Sequence, residues 1–439
     1  MFCKKIFSCF VLLIASLIFL SFQVLASDNS QTVSQPEILS LGQCLDFAFE
    51  NNKQIQEKEK QVTIAEGAVQ EAKAGFWPTL NYQLKRDESD LPQYQIGPSY
   101  EETEFIAGVN ASVPLYTGGM LRDNLKLTRY QLETAKEDLR KAKQQLIYDV
   151  KQAYYNVWLV EKVVQVQEAS YHNLDQHVNR VQIRYNAETA SKLDLMRAIV
   201  QRDTLKPKVI SAQNQLVLAK LQLATLIGYP KDQLYRTEYD AAKLEMPDSV
   251  GMPLTQVLNE AYQNRPELRQ IQKLTEINQV ITKMRKAGYK PNLGLSVGYA
   301  GLSKDVTENW YASAWSITLS LGGKLYDRKI NAQIEQAKNK EELSALQEAD
   351  LRDKIRLEAE QSLQNFIVSM ETTRANQASI DLAKEALRMT QIRVDNGMAT
   401  TMDIMDAQLA LDQALTGYYQ GIVSYLTAEA KLDLVMGRD

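Results

Sequence analysis

Cysteine is scarce in this chain of 439 residues, which contains only three. Cys3 and Cys9 lie within residues 1–26, which have the pattern of an export signal, so the mature chain would keep only Cys44. A single cysteine cannot form a disulfide within the chain. The fold must therefore depend on packing and on assembly with other chains.

Residues 1–26 have the parts of a secretory signal peptide. Two adjacent lysines near the start precede an apolar stretch at residues 10–22, and small residues lead to Ala26. We expect cleavage between Ala26 and Ser27. The alternative, an uncleaved membrane anchor, is disfavoured because the stretch is shorter than the roughly 20 residues that span a bilayer. Loss of the two lysines would change the formal charge from −4 to −6.

Residues suited to catalysis and metal binding are also few. His172 and His177 are the only histidines, and neither a cysteine nor a third histidine is near them in the sequence, so a metal site is not expected. No phosphate-binding loop and no Ser/His/Asp set is visible. An acidic exported chain is a poor candidate for binding nucleic acid. We therefore expect no enzyme activity and no cofactor.

Glycine and proline are absent from two very long stretches, Met120 to Ala187 and Lys324 to Asn396. Glycine costs about 1 kcal/mol and proline about 3 kcal/mol in a helix interior, so their absence predicts two continuous helices. Between Leu132 and Val164, apolar residues recur at alternating spacings of three and four, with one extra step of four. This pattern is typical of a coiled-coil seam with a stutter.

The shorter elements divide the chain into two similar units. We predict a first repeat over residues 27–230, a linker over 231–253 and a second repeat over 254–439. The first repeat contains two short helices, a strand pair at about 79–115 with a polar loop at 87–102, a long helix at 120–187 and a returning helix at 191–227. The second contains a strand pair at about 292–321, a long helix at 324–395 and a returning helix at 400–436.

The two repeats share residues at offsets of about 210 positions, which indicates an internal duplication. The matched pairs include Pro78 and Pro291, Gly118 and Gly322, Arg184 and Arg393, and Asp194 and Asp403. The offset changes where loops are predicted, as insertions should. The period is longer than that of solenoid repeats, so a stacked array is not expected.

The predicted strands alternate between apolar or aromatic residues and small or polar residues, most clearly from Phe105 to Leu115. This pattern is typical of strands that face lipid on one side and water on the other. Four strands cannot close a barrel, since about eight are needed for the smallest one, and open strand edges cannot face lipid. We therefore expect a homo-oligomer, and three chains would contribute twelve strands.

The order and spacing of these features resemble the TolC-type outer-membrane efflux proteins over nearly all of the mature chain. The resemblance depends on the junctions Phe76-Trp77-Pro78, Lys290-Pro291-Asn292, Gly118-Gly119 and Gly322-Gly323, and on the tip segments 184–194 and 393–403. It implies a mostly α fold with a small β part: a homotrimer with an outer-membrane β-barrel shared by three chains, continuous with a periplasmic tunnel of twelve long helices.

The same resemblance implies partners and a function. Such channels are the exit ducts of tripartite efflux or type I secretion systems, and they dock onto a periplasmic adaptor (a membrane fusion protein) that joins them to an inner-membrane RND pump or ABC transporter. The alternative is a periplasmic coiled-coil adaptor or spacer. Adaptors also carry long hairpins, but the duplicated strand pairs argue against one.

By resemblance, Asp403 and Asp406 match the acidic residues that surround the periplasmic constriction. Carboxylates from three chains around one axis would favour cations. Helix capping is the alternative for Asp403, because Thr400 to Asp403 has the form of a capping box, and Asp194 fits the same alternative. Asp406 lies past the first turn, where capping does not explain it.

Two arginines and one glycine complete the predicted tip. Arg184 and Arg393 are candidates for joining neighbouring helices or for contacting the adaptor, with a weakly paired surface arginine as the alternative. Glu188 stands where the second repeat has Gly397, so we expect the first tip turn to differ in shape from the second.

Aromatic residues at or near the predicted strand ends are candidates for a membrane-interface girdle. They are Trp77, Tyr82, Tyr299, Trp310, Tyr311 and Trp315. The alternative is the ordinary preference of aromatic residues for strands.

Overall fold

The computed structural model describes residues 37–91, 100–230, 235–237, 252–303 and 312–438. The helices are α1 (Leu41–Asn51), α2 (Lys53–Ala74), α3 (Met120–Asn186), α4 (Lys192–Ile227), α5 (Leu254–Asn264), α6 (Pro266–Ala287), α7 (Arg328–Asp395) and α8 (Thr401–Met436). The strands are β1 (Glu37–Leu39), β2 (Thr79–Leu91), β3 (Tyr100–Thr117), β4 (Tyr235–Thr237), β5 (Asn292–Ser303) and β6 (Ala312–Gly322). The expected signal cleavage site, Trp310 and Tyr311 lie outside the described residues.

The predicted mostly helical fold with a small β part is confirmed, and α3 and α7 are its longest elements. They contain 67 and 68 residues, or about 100 Å each at roughly 1.5 Å per residue. The start of α7 differs from the predicted Lys324. Asp327 accepts a hydrogen bond from the backbone N–H of Lys329 at 2.9 Å and pairs with the Lys324 ammonium at 2.7 Å. This cap begins the helix at Arg328.

The four long strands form one antiparallel sheet in the order β2-β3-β5-β6. The predicted polar loop at 87–102 was too long. Asp87 to Leu91 continue β2 and pair with Tyr100 to Glu104 of β3. Backbone hydrogen bonds hold an antiparallel ladder together, so charged side chains do not end it.

The helices form a layer that continues the strand order away from the sheet. Next to the sheet, neighbouring helices follow the order α2-α3-α6-α7, because α2 leads into β2, β3 into α3, α6 into β5 and β6 into α7. At the far end the order is α4-α3-α8-α7. Thus, with increasing distance from the sheet, α4 takes the position beside α3 that α2 has near the sheet, and α8 takes the position of α6 between α3 and α7. None of the helices in the described ranges combines the length and apolar composition needed to cross a membrane.

The shorter helices meet end to end, so that each chain supplies four columns of helix. Asn52 caps α2 by accepting from the Gln54 N–H at 2.9 Å, and its amide donates to the Leu226 carbonyl at the end of α4 at 3.0 Å. In the second repeat, Arg265 holds the matching position between α8 and α6. Its guanidinium lies 2.7 Å from a Glu358 carboxylate oxygen.

The main hydrophobic core lies near the middle of the helix layer. There α1 packs on α3 and α4, and α5 packs on α7 and α8. Tyr154 of α3 is 1% exposed and donates to the Leu39 carbonyl of β1 at 3.2 Å. The predicted linker contributes to this covering layer, since its strand β4 pairs in parallel with β1. Burial raises the pKa of the Cys44 thiol to about 11, so this side chain is an unreactive part of the core.

Candidate channel tip and apolar strand face

The two turns that connect α3 with α4 and α7 with α8 have the same backbone form. Glu188 has φ 59° and Gly397 has φ 72°, both left-handed. The Thr189 N–H donates to the Arg184 carbonyl at 2.8 Å, and the Met398 N–H donates to the Arg393 carbonyl at 2.7 Å. The expectation of a different first turn was therefore wrong. The hydrogen bonds of the helix end hold Glu188 in a conformation that suits glycine.

Glu188→Gly is expected to stabilise the first tip turn by about 1 kcal/mol, because it removes the cost of a left-handed residue with a Cβ atom. Amide hydrogen exchange of residues 185–190 would measure the effect, and slower exchange is the expected result. Glu188→Ala is the control, since it removes the carboxylate but keeps the Cβ. If exchange slowed equally in both variants, the side-chain charge and not the backbone conformation would determine the local stability.

Asp194 and Asp403 close capping boxes at the starts of α4 and α8. Asp403 accepts from the Thr400 N–H at 2.7 Å and from the Thr400 hydroxyl at 2.9 Å. Asp194 accepts from the Ser191 hydroxyl at 2.7 Å. Hydrogen bonds from Thr400 hold the pKa of Asp403 below its ordinary value, and the Ser191 hydroxyl does the same for Asp194. The capping role proposed as an alternative for both residues is present in the structure.

An arginine lies near each capping carboxylate. Arg184 contributes electrostatically to the lowered pKa of Asp194, and Arg393 does so for Asp403. The Arg393 guanidinium also donates to the Met398 carbonyl across the turn, at 3.5 Å. Both arginine side chains are exposed. Arg393 thus contacts its own turn, whereas Arg184 acts on Asp194 through its charge, and a contact of either arginine with an adaptor stays a prediction.

Asp406 differs from the capping carboxylates. It is exposed, and within the described part of the chain its carboxylate has no hydrogen bond or ion pair. It follows Asp403 by three residues on α8, so the two carboxylates lie on roughly one face of that helix. Its role in a constriction stays a prediction, but capping does not account for it.

Asp403→Ala is expected to speed amide exchange several-fold in the first turn of α8, whereas Asp406→Ala is not, because only Asp403 caps. The pKa of Asp403 is lowered in the folded chain, so the cap contributes fully above the ordinary Asp value of about 4. It is lost as the pH falls through the lowered value. The wild type and Asp403→Ala should therefore begin to converge as the pH falls below about 4 and match only below the lowered pKa. Equal exchange in both single variants at pH 7 would contradict this assignment.

A polar cluster about two turns beyond Asp406 was not predicted from the sequence. The Gln408 amide donates to the Asp412 carboxylate at 2.8 Å, and the Asn173 amide of α3 donates to Gln408 at 3.3 Å. Burial raises the pKa of Asp412, while a hydrogen bond from Ser170 and the charge of Lys208 act in the opposite direction. The cluster therefore joins α3, α4 and α8 just above the tip.

Asp412→Asn is expected to raise the melting temperature slightly at pH 7. The raised pKa means that the folded chain favours the protonated acid, so the ionised carboxylate lowers stability as the pH rises through that value. Asparagine keeps an oxygen that can accept from Gln408 and Ser170 but carries no charge. Thermal melting between pH 4 and 7 measures the effect against Asp46→Asn, an exposed control on α1. Destabilisation by Asp412→Asn at pH 7 would contradict it.

The strand registers place the apolar residues of all four long strands on one face of the sheet. Tyr82 pairs with Val109, Val109 with Tyr299, and Tyr299 with Trp315, so three of the predicted girdle aromatics form one row across the strands. All three are more than half exposed. The opposite face carries small and polar residues, such as Asn110 paired with Gly298. Trp77 lies at the helix end of the sheet and is also exposed. Their role as a membrane girdle stays a prediction.

The architecture and the duplication have a counterpart among known proteins. The family model described as outer membrane efflux protein matches residues 45–229 and 257–438, one segment for each repeat. The chain belongs to this family. The resemblance predicted from the sequence is thereby confirmed, and this outer membrane efflux protein is a transport protein of the bacterial outer membrane with its helical part in the periplasm.

Individual relatives of the efflux protein are distant in sequence but similar along their length. The outer membrane efflux protein BepC of Brucella suis is 21% identical over 372 residues, which cover 82% of this chain and 77% of BepC. The alkaline protease secretion protein AprF of Pseudomonas aeruginosa is 22% identical over 414 residues, covering 89% of this chain and 83% of AprF. A crystal structure of CusC matches with a TM-score of 0.80 at 17% identity, covering 95% of this chain and 96% of CusC.

Proposed function

We propose that three copies of this chain form the outer-membrane channel of a tripartite transport system. The channel passes solutes or proteins from the periplasm to the exterior. The observation that supports assembly of several copies most directly is that both layers of the chain end in edges without a neighbour. In the described sheet, β2 pairs only with β3 and β6 only with β5. An edge strand in lipid needs a partner strand, which a second copy can provide.

The helix layer has the same need for a neighbour. Its edges at the far end are α4 and α7, and each carries exposed apolar side chains along much of its length. On α4 these are Leu193, Met196, Val200, Ile210, Val217, Leu218 and Leu221, and on α7 they are Leu343, Leu346, Leu357, Val368, Leu382 and Met389. Exposed apolar side chains that recur along an edge element favour an interface there. Packing α7 of one copy on α2 and α4 of the next, with β6 beside β2, would close both layers at once.

The names of the relatives support the kind of partner that we propose for this chain. AprF is named as a protease secretion protein, and relatives named CusC are cation efflux system proteins. We propose that this chain likewise receives its cargo through a periplasmic adaptor from an inner-membrane RND pump or ABC transporter. The tip turns at Glu188 and Gly397 are the surfaces nearest such an adaptor. Asp403 and Asp406 lie beside them, at the periplasmic entrance of the proposed tunnel.

The trimer is tested by extraction from outer membranes and cross-linking in mild detergent. The wild type should give a trimer that migrates differently after heating. Leu346→Glu, at the α7 edge, should greatly reduce trimer formation because it buries a charge in the proposed interface. Leu409→Glu makes the same change on α8, which has neighbours on both sides, and should keep the trimer. A wholly soluble protein, or monomers alone from the wild type, would overturn the proposal.

A further inference from the structure

Charge is distributed unevenly along the long axis of the molecule. The four connections between helices and strands, together with the adjoining helix turns, occupy residues 71–78, 118–129, 283–291 and 322–329, which we name the junction belt. The belt contains eleven basic and three acidic residues, a net charge of 11 − 3 = +8, although the whole chain carries −4. Residues 85–104 include the end of β2 and the start of β3. They contain two basic and six acidic residues, a net charge of −4. The sheet thus has a basic helix end and an acidic far end.

The basic side chains of the belt are exposed, and several of them have no carboxylate partner in the described part of the chain. Lys324 pairs with Asp327 at 2.7 Å. In contrast, Arg285, Lys286 and Arg328 are exposed and pair with no carboxylate in the part of the chain that the structure describes. Exposed ion pairs contribute little to folding, and unpaired like charges close together oppose it. A cluster of unpaired cations is therefore better explained by an anionic ligand than by stability.

Part of the belt forms a stripe on one side of α3. Arg122, Lys126 and Arg129 are spaced by four and three residues and share one face of the helix. Arg129 precedes Tyr154 by 25 residues, or about seven turns at roughly 3.6 residues per turn, so both point to the same side. Tyr154 bonds to Leu39 in the covering layer. The stripe therefore faces the outside of the proposed tunnel, where α1 lies, rather than its interior.

The position of α3 leaves this stripe free of subunit contacts. Next to the sheet α3 has α2 on one side and α6 on the other, so it does not lie at an edge of the layer. The stripe follows directly from β3, whose apolar face continues through Val109 and Tyr299. Trp77, 73% exposed, lies at the same level of the molecule. Aromatic side chains at such a boundary are typical of the membrane interface.

We propose that the junction belt binds the phosphate groups of anionic phospholipids in the membrane leaflet next to the helices. This inference rests on the proposed function, which places the strands in a membrane. The apolar strand face ends where the belt begins, so the basic side chains lie at the depth of lipid head groups. Each basic residue near an anionic membrane surface contributes about 1 kcal/mol, or roughly a factor of five in binding. The stripe on α3 alone therefore provides strong preference for an anionic head group.

The test uses the purified detergent-solubilised trimer and native mass spectrometry. Wild type is titrated with phosphatidylglycerol and with phosphatidylcholine of the same acyl chains. The belt variant carries Arg122→Gln, Lys126→Gln and Arg129→Gln. The control carries Lys151→Gln, Lys162→Gln and Arg180→Gln, which remove the same charge from α3 about 30 Å or more further along. A second belt variant, Arg285→Gln with Lys286→Gln on α6, covers the case in which the first does not assemble.

The wild type and the control should retain phosphatidylglycerol in preference to phosphatidylcholine, and the first belt variant should lose that preference by at least about ten-fold. Equal retention of both lipids by an assembled wild-type trimer would overturn the inference while leaving the proposed channel intact. So would a belt variant that keeps the preference. A belt variant that changed only the ion selectivity of the channel would show that the cations face the interior, which also overturns it. Failure of the wild type to form a trimer would instead refute the proposed function.

Discussion

Gly437→Ala is expected to destabilise the protein by about 3 kcal/mol, whereas Gly397→Ala is expected to cost only about 1 kcal/mol. The two glycines have nearly the same left-handed backbone, with φ 71° and 72°. Both variants therefore pay the same conformational cost of a Cβ atom in that region. The difference arises from space: a Cβ at 437 would lie 2.8 Å from the backbone carbon of Asn264, while nothing lies within 4 Å of one at 397.

The conflict at Gly437 falls on the joint between α8 and α6, which has little freedom to adjust. The carbonyl of Gly437 accepts from the Gln144 amide of α3 at 2.9 Å, and Arg265 next to Asn264 is held by Glu358. Backbone atoms cannot rotate away as a flexible side chain can, so the joint itself must open. Overpacking of this kind costs about 1–3 kcal/mol beyond the backbone term.

Heat-induced dissociation of the detergent-solubilised protein, followed on gels, measures both variants under one condition. Gly228→Ala is a second test of the same principle, because a Cβ there would lie 2.5 Å from the Cβ of Asn51 at the matching joint of the first repeat. It should behave like Gly437→Ala. Equal losses for Gly397→Ala and Gly437→Ala would show that backbone conformation, not the close joint, determines the cost.

The long helices were predictable because a single physical rule covers them. The absence of glycine and proline over such lengths leaves few alternatives to a helix, and Met120 is the observed start of α3. The start of α7 was missed by four residues because Asp327 competes there as a cap, and local propensity does not reveal which polar residue will accept the first N–H.

The joints were not predictable, since they depend on contacts between distant parts of the sequence. Asn52 bonds to Leu226, and the matching Arg265 pairs with Glu358 instead. The repeat offset relates positions 52 and 265. However, an amide stabilises the joint in the first repeat, and a guanidinium stabilises the joint in the second. The tip turn at Glu188 was missed for the converse reason: hydrogen bonds at the helix end impose a glycine-like conformation on another residue.

The candidate site was predictable in part. Capping of Asp403 and Asp194 follows from residue types three positions apart, and the structure contains both boxes. The Asp412 cluster joins three helices and leaves no signal in local spacing. Whether Asp406 lies near a symmetry axis depends on neighbouring chains, so neither the sequence nor a single chain determines it.

Asp403→Asn with Asp406→Asn is expected to lower the cation preference of the channel several-fold. In the proposed trimer, these substitutions remove six carboxylate charges at the periplasmic entrance. The narrowest part of a pore dominates its selectivity, because field lines concentrate between low-dielectric walls. Asparagine keeps a side-chain oxygen for the Thr400 hydrogen bonds, so the start of α8 should remain capped and the trimer should assemble.

The measurement is the reversal potential of single channels in a planar bilayer under a salt gradient. The control variant carries Asp46→Asn and Glu50→Gln, two exposed carboxylates on α1 in the covering layer, and removes the same charge from each chain. It should retain the wild-type reversal potential, and block by multivalent cations should weaken only in the tip variant. Since both variants change the net charge equally, a difference between them reports position. A tip variant with the wild-type potential would show that Asp403 and Asp406 do not line the constriction.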